Sequence, residues 1–165
     1  MIIITPNTVI RSTEVNSNFD DAINLGKHTN PYKFHAYNTT TQVPSANTWT
    51  KMAMGTEVYD TNNNFASNNY TAPVSGFYHF GVRCLFFSQS GAPVLIAIGK
   101  NWTSGAPHVR LGEIPNCGGN TTLCGSVDIQ LTAGDVISAI AYTSNSCQLG
   151  NSYEYSGFWG HFIST

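Results

Sequence analysis

From residue 31 to the end of the chain, hydrophobic and polar residues tend to alternate with the two-residue period of β-strands. Clusters of Asn, Gly, Ser and Pro interrupt this alternation repeatedly and are typical of turns. The pattern predicts ten strands, at 32–37, 48–54, 57–60, 70–72, 76–87, 93–102, 108–114, 121–131, 135–143 and 153–162. Many short strands separated by turns favour a β-sandwich or a jelly roll.

The predicted strands differ in how many of their faces are hydrophobic. In 121–131, Leu123, Val127 and Ile129 share one face opposite polar residues, which indicates a single core face. Strands 76–87 and 153–162 instead carry bulky side chains on both faces. No helical pattern after residue 30 could cover the second face, so we predict a homo-oligomer with these two strands at the subunit interface. The alternative is that these aromatic side chains are simply exposed.

The first 30 residues contain a helical pattern. Ser12 is placed to cap a helix that ends near Gly26, and Ile2–Ile4 ahead of it predict a short extended segment. The apolar stripe of this helix consists of Val15, Phe19, Ala22 and Ile23. Because so short a helix is marginal alone, it needs a partner surface. We therefore divide the chain into an N-terminal segment at 1–30 and a β-domain at 31–165.

The composition excludes several classes of protein. Charged residues make up 10% of the chain and the net charge is −2, which argues against an electrostatic nucleic-acid surface. No apolar run approaches the roughly 20 residues of a membrane helix. Residues 1–6 lack the basic and long apolar regions of a signal peptide, so we expect a chain that is not secreted through a cleaved signal.

Several motifs resemble those of the complement C1q-like domain. Gly76-Phe77-Tyr78-His79-Phe80 is similar to its Gly-x-Tyr-x-Phe strand, and Tyr155-Ser156-Gly157-Phe158 to its closing Phe-Ser-Gly-Phe strand. Leu131-Thr132-Ala133-Gly134-Asp135-Val136 is similar to its Leu-x-x-Gly-Asp-x-Val turn, slightly shifted. The resemblance covers about 32–163. It implies an all-β, ten-stranded jelly-roll sandwich, shared with tumour-necrosis-factor-like proteins, that assembles as a homotrimer.

The N-terminal segment resembles a different group of proteins. Glu14-Val15-Asn16-Ser17-Asn18-Phe19 is similar to a Val-Asn-x-Asn-Phe lead-in found in tailed-phage fibre and decoration proteins. The Gly-X-Y repeat of the collagen-like stalk in animal C1q proteins is absent from the sequence. The resemblance therefore implies a phage particle as the location, with residues 1–30 docking on capsid or tail proteins and supporting trimerisation.

Residue candidates for the trimer interface follow from both regions. They are Val15, Phe19 and Ile23 of the predicted helix, and Phe77, His79, Arg83, Asp128 and His161 of the strands. We expect Arg83 and Asp128 to form an ion pair near the three-fold axis. His79 and His161 would either bond across the interface or form a metal or anion site there. The histidines lack metal-binding spacing and the carboxylates do not cluster, so we expect no metal and no cofactor.

The resemblance also places three loops together at the apical end of the trimer, at 88–92, 115–120 and 144–152. Their polar side chains could bind the hydroxyl groups of a host surface glycan, or the loops could be passive turns. The binding candidates are Gln89, Asn116, Asn120, Asn145, Gln148, Asn151 and Tyr153.

The four cysteines lack the C-x-x-C spacing of zinc and redox sites, and three pairings are possible if all four are oxidised. Because Cys117 and Cys147 both fall in predicted apical loops, we predict a disulfide between them. We expect Cys84 and Cys124, which lie within predicted strands, to be thiols.

The sequence contains no recognisable set of catalytic residues. There is no Gly-x-Ser-x-Gly motif, and Glu113, Asp128 and Glu154 are isolated carboxylates, so no catalytic residues are assigned. We predict a non-enzymatic, trimeric virion surface module, a fibre head or decoration protein, that attaches to the host through its apical loops. The alternatives are a polysaccharide-degrading virion enzyme, a purely structural stabiliser of the particle, and a secreted signalling or adhesion domain.

Overall fold

The computed structural model describes residues 30–165, except for the side chains of residues 88–90. The predicted extended segment and helix, with Val15, Phe19 and Ile23, lie outside the described residues, and the boundary at residue 30 stays a prediction. Within 30–165 the chain is all-β and contains no helix. The ten strands are β1 Lys33–Tyr37, β2 Thr50–Lys51, β3 Thr56–Asp60, β4 Phe65–Ala66, β5 Asn69–Thr71, β6 Gly76–Lys100, β7 Val109–Leu131, β8 Val136–Thr143, β9 Gln148–Leu149 and β10 Ser156–Ser164.

Strands β6 and β7, of 25 and 23 residues, form one antiparallel ribbon that belongs to both layers of a sandwich. Layer 1 contains β3, β1, β10, the first half of β6 and the second half of β7. Layer 2 contains the first half of β7, the second half of β6, β8, β2, β5 and β4. The predicted jelly-roll sandwich is confirmed, and both long strands pass from one layer to the other.

The long ribbon corrects two predicted loops. Segments 88–92 and 115–120 are parts of β6 and β7, since pairing continues from Phe86↔Thr121 through Gln89↔Gly119 to Val94↔Ile114. Register shifts between Phe86 and Val94 interrupt the pairing without ending it. Bulges of this kind bend a strand while its neighbour stays attached. The Ser, Asn and Gly residues that suggested loops therefore mark bends in paired strands.

The alternating side chains of β6 form the centre of the core. The face that carries Tyr78, Phe80, Val82, Cys84 and Phe86 is completely buried. Aromatic rings from both layers meet there: the Phe34 ring stacks on the Phe65 and Tyr70 rings and meets the Phe158 ring edge-on at 4.8 Å. Such aromatic contacts add to the stabilisation that burial provides.

The turn between β7 and β8 depends on Asp135. Its Oδ2 accepts hydrogen bonds from the Thr132 amide at 2.8 Å and from Lys100 Nζ at 2.9 Å, and its Oδ1 accepts one from Asn101 Nδ2 at 2.8 Å. Burial opposes the ionised carboxylate, but these donors prevail and lower the pKa of Asp135 to about 2. Gly134 precedes it with a φ of 91°, which favours glycine. The motif that resembled the family turn thus connects β7 of layer 1 to β8 of layer 2.

Candidate functional site

The outer face of layer 1 brings the ionisable candidates together. Because side chains at every second position point outward, strand register places them in rows across the layer. One row runs Lys33↔His161↔His79↔Asp128, and the next runs His35↔Trp159↔Gly81↔Ser126. We call this surface the His/Trp face. It contains all five strand residues that the sequence assigned to the subunit interface: Phe77, His79, Arg83, Asp128 and His161.

An ionisable triad forms in the first row. His79 Nδ1 lies 2.7 Å from Asp128 Oδ1, and the His79 and His161 rings lie 5.3 Å apart between their centroids. Partial burial and the nearby His79 ring lower the pKa of His161, and the attraction of Asp128 opposes this only in part. The His161 ring is therefore harder to protonate than a solvent-exposed imidazole.

The second row makes the face flat. A Cβ atom at Gly81 would overlap the Trp159 indole ring, and one at Gly157 would lie 3.4 Å from His35 Nε2 and 3.5 Å from the indole. The indole therefore lies over two glycines, and its other neighbour is the His35 ring at 6.0 Å. A large aromatic side chain thus covers the layer without protruding from it. Sequence reasoning placed Trp159 on this strand but missed its partnership with His35 and Gly81, because cross-strand register was unknown.

Arg83 takes a different partner from the predicted one. Its Nη2 donates to the Tyr153 carbonyl at 2.5 Å, while Asp128 is bonded to His79. The buried Nε of Arg83 has no hydrogen-bond partner in the described part of the chain. Burial and the Arg83 charge together lower the pKa of His35. Within one subunit, the predicted Arg83–Asp128 ion pair is therefore replaced by bonds to other groups.

The structure brings the three predicted apical segments together near the middle of the ribbon, where it passes from one layer to the other. Gln89 pairs with Gly119 and Phe87 pairs with Gln148, so the segments are neighbours in the sheet. Asn116, Asn120 and Asn145 are exposed, and Gln148 and Asn151 are half-buried. Only the backbone of Gln89 is described.

Tyr153, the remaining apical candidate, is 51% exposed. Its ring contacts the His35 and Tyr37 rings at 5.4 and 5.5 Å, so the side chain adjoins the His/Trp face. Together with the Arg83 bond to its carbonyl, this contact makes Tyr153 a link between the apical end and the His/Trp face.

The cysteines correct a further prediction. All four are thiols in the structure, so the expected Cys117–Cys147 disulfide is not formed, whereas Cys84 and Cys124 are thiols as expected. Cys117 is paired within the ribbon opposite Ala92, and Cys147 lies close enough to Cys84 to affect its ionisation. Complete burial is the main factor that raises the pKa of the Cys84 thiol. Cys124 alone among the four is exposed.

Neither a metal-binding cluster nor a membrane-spanning helix is present in residues 30–165. The described His, Cys, Asp and Glu side chains form no group of three or more that could hold a metal ion. That part of the chain also contains no helix with the length and hydropathy needed to cross a bilayer.

Comparison with known proteins identifies the fold. No family model and no curated protein matches the sequence. Among solved structures, the globular domain of zebrafish complement 1qA protein is similar with a TM-score of 0.61 at 14% identity, over 80% of this chain and 97% of that one. Murine APRIL has a TM-score of 0.58 at 12% identity, over 79% and 98% of the two chains. Eiger TNF from S. frugiperda has 0.58 at 8%, over 81% and 92%. The described domain has the C1q/TNF jelly-roll fold.

Proposed function

We propose that this chain is a non-enzymatic, homotrimeric surface module of a phage particle, either a fibre head or a decoration protein, that attaches to the host. Residues 1–30 dock on capsid or tail proteins, and the three apical ends face outward. Three identical weak sites on one particle bind far more tightly than one, which suits attachment to a repetitive host surface.

The observation that carries the trimer is the His/Trp face. Trp159 fits flat over Gly81 and Gly157, and Phe77, beyond the His79 row on the same face, remains 43% exposed. An exposed aromatic residue on a flat and partly ionisable surface is suited to close contact with an equivalent surface. The resemblance to trimeric jelly rolls and the shared fold support the same assembly.

The test is the native mass in solution, measured by light scattering during size-exclusion chromatography. Three chains of 17.9 kDa give about 54 kDa. Phe77→Glu places three carboxylates at the proposed interface and should reduce the mass to that of one chain. Val43→Glu is the matched control, because Val43 is 55% exposed and precedes β2, away from the His/Trp face. A wild-type monomer would refute the trimer.

Attachment has its own test. Particles that carry the chain with 144–146 replaced by Gly and Ser, together with Asn116→Ser, should adsorb to host cells more slowly. Unchanged adsorption, with the replaced protein still present on the particle, would refute attachment through the apical end and favour a stabilising role. Capture of capsid or tail proteins by the full chain, but not by residues 31–165, would support docking through the N-terminal segment.

A further inference from the structure

We infer that the outer face of layer 2 contains a binding site for a neutral pyranose sugar. A pocket of about 290 Å³ opens there, lined by Trp49, Pro93, Leu95, Arg110, Glu113 and Tyr142. Its volume is close to the lower limit of small-molecule sites. It lies on the opposite layer from the His/Trp face, so trimer formation through that face would leave three copies of the pocket accessible.

Strand register explains how the pocket is built. Tyr142, Leu95 and Glu113 are direct neighbours across β8, β6 and β7. Val94 and Ile96 point into the core, so Leu95 points outward, yet it is only 4% exposed. The pocket therefore has an apolar floor, with an aromatic side chain on one side and a carboxylate on the other.

The aromatic wall consists of two rings. The Trp49 and Tyr142 rings lie 5.4 Å apart at 46°, and Tyr142 Oη bonds to Asn47 Oδ1 at 3.3 Å. The Arg110 guanidinium lies over the Trp49 ring, 5.9 Å from its centroid. These contacts hold a tryptophan beside an open cavity. The C–H face of a pyranose packs well on such an aromatic wall, because aromatic side chains offer a large apolar area.

The polar wall favours a neutral ligand. Arg110 Nη1 donates to Glu113 Oε2 at 3.3 Å, so the two formal charges in the pocket cancel. An anionic ligand would have to compete with Glu113 for the guanidinium. A sugar diol can use both groups, since one hydroxyl donates to the carboxylate and its neighbour accepts from the guanidinium. An aromatic wall, an apolar floor and a paired donor and acceptor together match the two surfaces of a pyranose.

The biological role of this pocket rests on the proposed attachment function. The pocket would give the protein a glycan site on layer 2 in addition to the apical end. The full chain is titrated with a panel of neutral oligosaccharides of glucose, galactose, mannose and N-acetylglucosamine, and with acidic oligosaccharides of glucuronic acid for comparison, using calorimetry and saturation-transfer NMR. We expect at least one to bind with a millimolar Kd, and Trp49→Ala to weaken it by at least about tenfold.

Two further variants distinguish a loss of sugar binding from misfolding of Trp49→Ala. Glu113→Ala changes an exposed side chain and should also weaken binding, whereas Trp102→Ala, a partly buried tryptophan outside the pocket, should leave the Kd unchanged. No binding by any neutral sugar, or equal binding by Trp49→Ala, would overturn the inference. Preferential binding of acidic sugars that is lost in about 0.5 M salt would overturn its neutral character. The mass of the same sample separates the two proposals: a trimer without sugar binding refutes only the pocket.

Discussion

Each outer face of the sandwich carries a tryptophan, but one face is flat and the other contains a cavity. On layer 1, Trp159 lies over Gly81 and leaves a flat surface. On layer 2, Trp49 packs against Tyr142, the cross-strand neighbour of Leu95, and forms one wall of a cavity. The Trp159 indole can lie on the sheet because its cross-strand neighbour is a glycine, whereas Trp49 meets another ring. Flat surfaces suit subunit contact and concave ones suit small ligands, and we propose different uses for the two layers on this ground.

Gly81→Ala should have the largest effect on stability and assembly. The new methyl group overlaps the Trp159 indole and must displace it, which we expect to cost about 1–3 kcal/mol in the free energy of unfolding and to dissociate the proposed trimer. The matched control is Gly112→Ala, whose methyl group would lie 3.7 Å from Ile96 and Leu123, an ordinary contact. Urea denaturation and light scattering measure both effects, and equal stability of the two variants would contradict the account of the flat face.

The second prediction compares one carboxylate from each layer. Asp135→Asn loses the charge that attracts Lys100 and should destabilise the fold by roughly 1–2 kcal/mol. Asp128→Asn, with its side chain 64% exposed, should have a smaller effect. Since the pKa of folded Asp135 is lowered to about 2, its contribution is present above the unfolded pKa and is lost as pH falls towards 2. Acid titration of stability should show this loss in the wild type and not in Asp135→Asn.

The third prediction concerns the histidines of the His/Trp face. Folding lowers the pKa of His35 and His161, so the unfolded chain binds more protons just below their ordinary pKa of about 6.5. Stability should therefore decrease as pH falls through that value. His35→Gln and His161→Gln should each flatten the slope of unfolding free energy against pH. His108→Gln, in the turn between β6 and β7, is the control, and an unchanged slope in all three would exclude the effect.

The smallest expected effect is on thiol reactivity. Cys124 pairs with Arg83 on the His/Trp face, so it should react slowly in the proposed trimer and rapidly in the Phe77→Glu monomer, where Cys124→Ser removes the reaction; the other three thiols are buried. Protein denatured without reductant should show four thiols. If the denatured protein shows only two reactive thiols, one disulfide is present and the assignment of four thiols is wrong.

The sequence predicted the core better than the surfaces. Alternation predicted the core face of 121–131, where Leu123 and Ile129 are buried, because burial there depends on a local period of two. It did not predict which outward residues meet. The Trp49–Tyr142 and His35–Trp159 pairs join residues that are distant in sequence, and only strand register brings them together. The prediction of loops at 88–92 and 115–120 was wrong because strand pairing was again unknown. Composition alone does not distinguish a turn from a bulge in paired strands.

The β6–β7 ribbon has a consequence for how the protein folds. Its two strands are joined by a turn at 101–108, and pairing extends from Ile98↔Val109 to Gly76↔Leu131. A hairpin can grow from its turn, each pair forming beside the last, with little further entropy lost to loop closure. Because this one hairpin supplies strands to both layers, neither layer is complete without it. We expect the described domain to unfold in a single cooperative transition, with the turn at 101–108 forming early in refolding.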